Sequence, residues 1–410
     1  MEKAERSSQE ILRERAFFHW LYNIEGIGRK TIRRLMDAVG SAERIFNLEE
    51  EKLDLLLSDS QKRKLLEARG RAKIRQEYEA IRRRGIDLYP ASDPLYPKRL
   101  LPLPDRPEAV YVKGRLPEER VPAVAVIGAR ICSAYGAYMA EQFCASLASA
   151  GVCIISGLAR GIDGIGQRAA LRAGGTACAV LGCGPDLCYP PENRQLYDSM
   201  IQRGAVVSEY PPGTPPRAGL FPQRNRIISG LADLILVIEA REKSGTLITV
   251  DMALEQGKEV WAVPGRITDE LSRGCNRLIW QGASPALSPS ALLEELRRLS
   301  ALSWKRPAQK EAEGRCGQPA ENGTRAGACG EGLLTEKATA EEERLRTAIL
   351  NALDFSAVTP ERLQEELRAS GISCSLPGLI RLLMELTLEG SCVQEGNRFC
   401  RKMTQETLKW

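Results

Sequence analysis

The segment from Phe221 to Gly230 carries side chains suited to binding an anion rather than to acid–base chemistry. Arg224, Asn225 and Arg226 follow the aromatic ring of Phe221 within six residues. Guanidinium groups pair with phosphate oxygens, and an aromatic face stacks on an unpaired base. We interpret the segment as a basic loop that leads into a helix beginning near Asn225. Phe221 has two open interpretations: a stacking face, or a core residue that anchors the loop.

Three other predicted loops each carry a cation and at least one glycine. Each follows a predicted strand, and ligands bind at the carboxyl ends of parallel strands in open α/β sheets. Glycines let a ligand approach the backbone, and helices that begin nearby direct their positive dipole ends toward it. We therefore predict an anion site at this edge. Its predicted members outside the segment above are Gly128, Ala129, Arg130, Ser156, Gly157, Arg160, Gly161, Lys243, Ser244, Gly245 and Thr246.

Motifs for catalysis or for a nucleotide cofactor are absent from the same region of the sequence. Residues 128–131 lack the Gly-x-Gly-x-x-Gly pattern of dinucleotide-binding proteins, and the chain contains no Walker A sequence. We interpret Asp163 as a helix N-cap, and Glu209 and Glu239 as partners of the arginines. The remaining acidic candidate is Asp186, and the region has no histidine. The sequence predicts no catalytic residue and no cofactor.

Composition indicates a globular protein that does not contact a membrane. Its 410 residues exceed what one hydrophobic core usually serves, so we expect two or three domains. A net charge of +5 permits nucleic acid as a partner. No apolar run approaches the roughly 18–20 residues of a membrane span, and the first residues do not resemble a signal peptide. We expect a cytoplasmic protein.

The cysteines do not form a metal-binding pattern. Twelve are present, but none occurs as a Cys-x-x-Cys pair, and His19 is the one histidine in the sequence. Structural zinc sites combine paired thiolates or thiolates with histidines at short spacings. We therefore predict no metal site, and we interpret most of the cysteines as small buried side chains in a reducing compartment.

Six apolar strands alternate with helices from residue 121 onward. Continuous apolar strands between helices are typical of a parallel sheet that is covered on both faces. The sequence therefore predicts an α/β domain with a doubly wound, Rossmann-like parallel sheet. The predicted strands are Val121–Ile127, Val152–Ile155, Thr176–Leu181, Ala205–Ser208, Leu234–Glu239 and Glu259–Val263.

Five segments follow one another along the chain. We predict an N-terminal helical domain over residues 1–85, a proline-rich connector without regular elements over 86–118, and the Rossmann-like domain over 119–300. A flexible linker is predicted over 301–340 and a winged-helix-like domain over 341–410. Gly26-Ile27-Gly28 favours a helix-hairpin-helix (SAM-like) element, with a plain helix–helix turn as the alternative. A generic three-helix module is the alternative to the winged helix.

Five runs of sequence resemble the DNA-processing protein A family, also called DprA or Smf. The resemblance extends over about residues 11–290, and the tail is similar to the winged helix of many members. The residues that carry it are 125–130, 155–163, 221–230, 239–249 and 262–265.

This resemblance implies a non-enzymatic protein that binds single-stranded DNA as a homodimer formed through the Rossmann domain. It implies further that the protein passes incoming strands to the RecA recombinase in natural transformation. Arg130 and Arg160 would then contact DNA, with the 224–226 segment in the adjoining loop. The family often has serine at the positions of Ala129 and Thr246 and commonly histidine at that of Gln167.

Two other functions remain open from the sequence. One is a nucleotide sensor or a nucleoside-monophosphate hydrolase, since related Rossmann proteins use a Pro-Gly-Gly-x-Gly-Thr loop followed by a glutamate. Residues 243–246 occupy the corresponding stretch without the double glycine. The other is a regulator that binds duplex DNA through the C-terminal domain.

Overall fold

The computed structural model describes residues 2–299 and 345–401, except 351, 354–357, 370–371, 373, 390 and 396–397. The chain divides into two compact units, residues 1–307 and 308–410. The linker predicted over residues 301–340 lies outside the described residues.

Helices form the first part of the larger unit. The turn between the first two contains Gly26, whose φ of +86° is a backbone conformation that favours glycine. The helices share a hydrophobic core with Ile86, Leu88 and Tyr111 of the first two strands, so this helical layer packs directly against the sheet. Their bounds are α1 Glu2–Tyr22, α2 Arg29–Val39, α3 Ala42–Phe46, α4 Glu50–Asp54, α5 Asp59–Arg71 and α6 Ile74–Arg83.

One sheet of nine strands dominates the part of this unit that the structure describes. The strand order is β1-β2-β6-β5-β4-β3-β7-β8-β9. Neighbouring strands from β6 to β9 in this order are parallel, whereas β2 is antiparallel to β1 and to β6. The bounds are β1 Ile86–Pro90, β2 Ala109–Gly114, β3 Ala123–Ile127, β4 Cys153–Ser156, β5 Ala177–Leu181, β6 Ala205–Ser208, β7 Leu234–Val237, β8 Glu259–Ala262 and β9 Ser284–Pro285.

Helices cover both faces of the sheet, which confirms the doubly wound arrangement. Phe143, Leu147 and Leu292 belong to the core on one face, and Ile227 and Val250 belong to the core on the other. Both cores consist of apolar side chains removed from water, which is the main favourable term in folding. The helices are α7 Ala134–Ser149, α8 Ile162–Arg172, α9 Arg194–Arg203, α10 Leu220–Leu231, α11 Gly245–Glu255, α12 Arg273–Trp280 and α13 Pro289–Leu299.

Two sequence predictions about elements of this unit are wrong. The proline-rich segment 86–118 is not an irregular connector, because β1 and β2 lie within it and extend the sheet. The prolines fall at the end of β1, between the two strands and after β2, outside the interior of either strand. The helix predicted from about Asn225 begins at Leu220, so the basic segment is helical rather than a loop.

The smaller unit contains helices and a hairpin within its described residues. Residues 345–350 are helical, and α14 Pro360–Ala369 and α15 Leu376–Leu388 follow. β10 Cys392–Glu395 pairs antiparallel with β11 Arg398–Arg401. Ile349, Leu363, Leu383 and Phe399 share one core. The winged-helix assignment remains a prediction.

No membrane-spanning helix is found where the structure describes the chain, since none of those helices is both long and apolar enough. The same residues contain no group of three or more His, Cys, Asp or Glu side chains that could hold a metal ion. Cys144, Cys153 and Cys178 are buried free thiols, and burial raises the pKa of each.

Candidate functional site

The carboxyl ends of β3 and β7 mark the point where the strand order reverses. The chain proceeds from β3 through β4 and β5 to β6 on one side, and β7 then pairs with β3 on its other side. In doubly wound sheets this reversal opens a crevice that binds ligands. Helices α7, α8 and α11 begin at the same edge, following β3, β4 and β7. Their N-terminal dipole ends favour an anion there.

A cleft of about 700 Å³ lies at this edge. Its walls come from the loops after β3 and β7 and from the first half of α10, which are far apart in sequence. The predicted site residues that line the cleft are Gly128, Ala129, Arg130, Phe221, Arg224, Asn225, Ser244, Gly245 and Thr246. These residues belong to three of the four predicted loops, and the fourth, after β4, reaches the cleft with Ala159 and Asp163.

Glycines let the walls of the cleft approach one another. Gly161, with φ of +67°, packs so closely on the loop after β3 that an added Cβ would lie 2.3 Å from the carbonyl oxygen of Ala129. At Gly128 an added Cβ would lie 2.7 Å from Cγ1 of Ile162. Separations below 3.0 Å are not found for real Cβ atoms, so larger residues at either position would displace the loops. These two glycines support the shape of the site.

Arg224 lies at the floor of the cleft with only 5% of its surface exposed. Its Nη1 donates to the carbonyl oxygen of Gly157 at 2.9 Å and also to that of Val180. Burial lowers the pKa of Arg224 to about 10, and the nearby carboxylate of Asp163 opposes that shift. A Cβ at Gly157 would lie 2.6 Å from the guanidinium nitrogens. Arg224 is thus a buried charge that joins α10 to the ends of β4 and β5.

Arg226 lies behind the cleft rather than in it. It is 3% exposed, its Nη2 donates to Glu209, and its Nε lies 3.0 Å from Oδ2 of Asp105. Arg29, at the start of α2, approaches the same Glu209 carboxylate with an Nη1–Oε1 distance of 3.3 Å. The sequence predicts that Arg226 binds DNA, whereas the structure pairs its charge with carboxylates in the interior.

Among the predicted site residues that the structure describes, the exposed cations are Arg130, Arg160 and Lys243. Arg130 holds its guanidinium carbon over the ring of Phe221, 5.9 Å from the centroid. Arg160 pairs with Glu192 at the surface and lies outside the cleft lining. A cleft residue outside the prediction, Arg241, lies 3.8 Å from Glu270. The cationic character of the edge therefore comes from side chains that solvent can reach.

The acidic side chains at this edge hold loops and helix starts. Asp163 is not the N-cap of α8, which is Gly161, but its Oδ2 accepts from the backbone N–H of Gly157 at 3.0 Å. Burial raises its pKa. Glu239 accepts from the N–H of Ser133 at 2.9 Å and from its hydroxyl, so it braces the start of α7. The prediction that Glu209 binds an arginine agrees with its contacts, whereas the corresponding prediction for Glu239 does not.

Some polar residues of the predicted site make internal hydrogen bonds, and some lie at the surface of the cleft. The hydroxyl of Ser156 is buried and donates to the carbonyl oxygen of Val126 at 2.6 Å. Thr246 donates to the carbonyl oxygen of Gly128 at 3.2 Å and so joins the loops after β3 and β7. Ser244 is the N-cap of α11, and its buried hydroxyl has no partner among the described residues.

Tyr189 is a cleft residue that the sequence analysis missed. It belongs to the loop between β5 and α9, which carries no arginine or lysine before α9 and so is not one of the predicted cation-bearing loops. An aromatic residue directly before Pro190 and Pro191, at the end of a loop at the carboxyl edge, was the available signal.

Comparison with known proteins identifies the family. The sequence model of DNA recombination-mediator protein A matches residues 87–297, which include β2 to β9 and every residue that lines the cleft. The chain belongs to this family. Among its relatives, Protein Smf of Escherichia coli is 46% identical over 211 residues, which make up 51% of this chain and 56% of the relative. The DNA processing protein DprA of Streptococcus pneumoniae is 44% identical over 203 residues, 50% of this chain and 72% of the relative.

The fold is also that of a solved family member. The X-ray structure of DNA processing protein A from Streptococcus pneumoniae matches with a TM-score of 0.60 and 33% identity, covering 68% of this chain and 97% of that one. In sequence, by contrast, the aligned region spans little more than half of the Escherichia coli relative.

Proposed function

We propose that this protein binds single-stranded DNA at the carboxyl edge of its sheet, in the cytoplasm, and catalyses no reaction on it. It protects the strand and loads the RecA recombinase on it during natural transformation and recombination. The observation that carries the proposal is the cleft at the β3–β7 reversal, which combines Arg130 and Arg241 with the ring of Phe221 and the start of α11. Phosphates meet cations and helix dipoles there, while unpaired bases meet an aromatic surface.

The exposure of each predicted site residue indicates the role that we propose for it in DNA binding. Arg130, Arg160 and Lys243 reach solvent and would neutralise phosphates. Asn225 and the 244–246 segment line the cleft and would bind phosphate or sugar oxygens. The predicted residues Ser156, Gly157, Gly161, Arg224 and Arg226 would support these contacts from behind.

The relatives add support for the biological setting. The family is described as a mediator of DNA recombination, and two relatives are called DNA processing proteins. A recombination mediator needs a single strand and a recombinase as partners, and a cationic cleft without a cofactor motif suits an extended polyanion.

Equilibrium binding to labelled single-stranded and duplex oligonucleotides tests the proposal. We expect preference for the single strand, with log affinity falling by about 0.7 per neutralised phosphate against log salt concentration. Arg130→Ala should weaken binding to all sequences alike and reduce that slope by about 0.7. Arg75→Ala, at an exposed arginine of α6, is the matched control and should bind normally. Equal affinity for duplex, or no binding, would refute the proposal.

We propose further that the protein is a homodimer formed through the Rossmann-like domain. Large apolar side chains are exposed on its last elements: Leu254 by 57%, Trp280 by 85% and Leu287 by 73%. Contiguous apolar patches mark protein interfaces, and we propose that these side chains belong to one. Light scattering should give twice the chain mass for the unaltered protein and the chain mass for Trp280→Glu. A monomeric unaltered protein would contradict the proposal.

No observation favours a nucleoside-monophosphate hydrolase. That reaction would need an acidic group free to act at the cleft. Asp163 is hydrogen-bonded to the loop after β4, Glu209 to arginines, and Glu239 to the start of α7. Release of free base from nucleoside monophosphates, abolished in Glu239→Gln, would reverse this conclusion.

A further inference from the structure

We propose that Tyr189 stacks on a base of the bound strand and extends the aromatic surface that begins at Phe221. The inference rests on the proposed function and deepens it, because it adds a residue and a type of contact to the same site. Tyr189 lies outside the runs of sequence by which the family was recognised.

The rings of Tyr189 and Phe221 form one surface. Their centroids are 5.4 Å apart, the planes are inclined by 32°, and both residues line the cleft. Arg130 lies over the ring of Phe221, so a cation and two rings are arranged in succession. A single strand carries phosphates beside its bases, so a cation that is followed by aromatic rings suits it.

Phe221 by itself offers little free ring to a base. It is partly buried, with Arg130 and Tyr189 against its ring, and an added Cβ at Gly182 would lie 2.8 Å from its Cδ1. Tyr189 has 43% of its surface exposed. The ring most accessible to an incoming base is therefore that of Tyr189, while Phe221 supports it from below.

The loop that carries Tyr189 is held on several sides. The backbone N–H of Gly184 donates to the carbonyl oxygen of Thr214 at 2.9 Å, and the hydroxyl of Tyr197 donates to that of Pro185 at 2.6 Å. Asp186 accepts from the N–H of Gly213 at 2.8 Å. A ring fixed before binding loses little conformational freedom on binding, so stacking on it contributes more to affinity.

The fold does not require the Tyr189 ring. Its hydroxyl has no hydrogen-bond partner among the described residues, and the ring lies outside the hydrophobic cores of the sheet. Further along the same loop, Glu192 pairs with Arg160 and Asn193 donates to the carbonyl oxygens of Leu158 and Ala159. The loop thus joins the proposed stacking residue to the arginine-bearing loop after β4.

The test compares oligothymidylate with an abasic deoxyribose-phosphate oligomer of the same length, using the full chain. Stacking on an aromatic side chain is worth about 5- to 150-fold in affinity per base. We expect Tyr189→Leu to weaken oligothymidylate binding within this range and to leave abasic binding unchanged. Tyr189→Phe keeps the ring and should bind normally. The fluorescence of a 2-aminopurine base in the strand should be quenched when the unaltered protein or Tyr189→Phe binds. Tyr189→Leu should quench this fluorescence less.

The outcomes separate this proposal from the proposed function. Normal binding and quenching by Tyr189→Leu would overturn the stacking role and leave single-strand binding intact. Equal losses on both oligomers would show a role in shaping the loop and would also overturn stacking. Failure of the unaltered protein to bind either oligomer would overturn the proposed function, and the stacking role with it.

Discussion

Arg130, Arg224 and Arg226 have the same side chain but different surroundings. Arg130 is exposed beside Phe221, Arg224 is buried on two carbonyl oxygens, and Arg226 is buried on Glu209. A buried charge is tolerated only when it is paired and hydrogen-bonded. The charges of Arg224 and Arg226 are therefore held by partners in the interior. Of the three, only Arg130 is available to a ligand without rearrangement.

Arg224→Met tests this distinction. Methionine fills a similar volume but removes both hydrogen bonds and leaves the Asp163 carboxylate buried without its nearby cation. We expect a loss of about 3–5 kcal/mol in the free energy of unfolding, as for a broken buried pair. Urea unfolding measures this loss. The control is Arg130→Ala, at an exposed side chain, whose free energy of unfolding should lie within about 0.5 kcal/mol of that of the unaltered protein. A stable Arg224→Met protein that no longer binds DNA would instead make Arg224 a direct contact.

At the scale of elements, polar contacts join the N-terminal helices to the sheet. His19 of α1 lies 2.9 Å from the hydroxyl of Tyr111 of β2, measured at Nδ1, and Arg29 of α2 reaches Glu209 just beyond β6. Glu209 also holds Arg226 of α10. The helical layer is therefore tied to the helix that forms a wall of the cleft.

His19 predicts a pH dependence of stability. Burial lowers its pKa from 6.5 to about 4. Between these values the unfolded chain binds the proton and the folded one does not, so stability falls as the pH drops from 6.5 toward 4. The shift corresponds to about 3 kcal/mol. The free energy of unfolding should depend less steeply on pH across this range in His19→Gln, which lacks the imidazole, than in the unaltered protein. Identical slopes for the two proteins would contradict the prediction.

On the scale of the whole molecule, every described residue that lines the cleft belongs to the larger unit. The lining comes from residues 127–271, within the unit formed by residues 1–307. The smaller unit has its own core. The proposed single-strand site is therefore complete without the C-terminal residues.

Deletion of residues 303–410 should leave single-strand binding nearly unchanged. We expect an affinity within about twofold of the full chain, roughly 0.4 kcal/mol, because no cleft residue is removed. Fluorescence anisotropy measures the affinity, and an unaltered thermal midpoint of the larger unit confirms that the shortened chain is folded. A loss of tenfold or more would assign DNA contacts to the smaller unit.

The α/β fold and the edge of the sheet at which the cleft lies could both be predicted from the sequence alone. Runs such as Val124–Ile127 and Leu234–Val237 are apolar throughout, and only strands buried on both faces need that pattern. The glycines and cations after those strands then had to meet, because parallel strands present their carboxyl ends at one edge. Local patterns therefore sufficed for the six strands β3 to β8 and for where each of them ends to within a few residues.

Which of those residues line the cleft depends on contacts that only the folded chain makes. Residues 86–114 join the sheet through antiparallel pairing with β6, a long-range contact that prolines obscure in the sequence. Arg226 lies outside the cleft lining, paired with Glu209 and Asp105 from other segments of the chain. Tyr189 lies in the cleft because its loop packs against Phe221. Burial and partners arise from contacts between distant segments, so the type and spacing of residues cannot specify them.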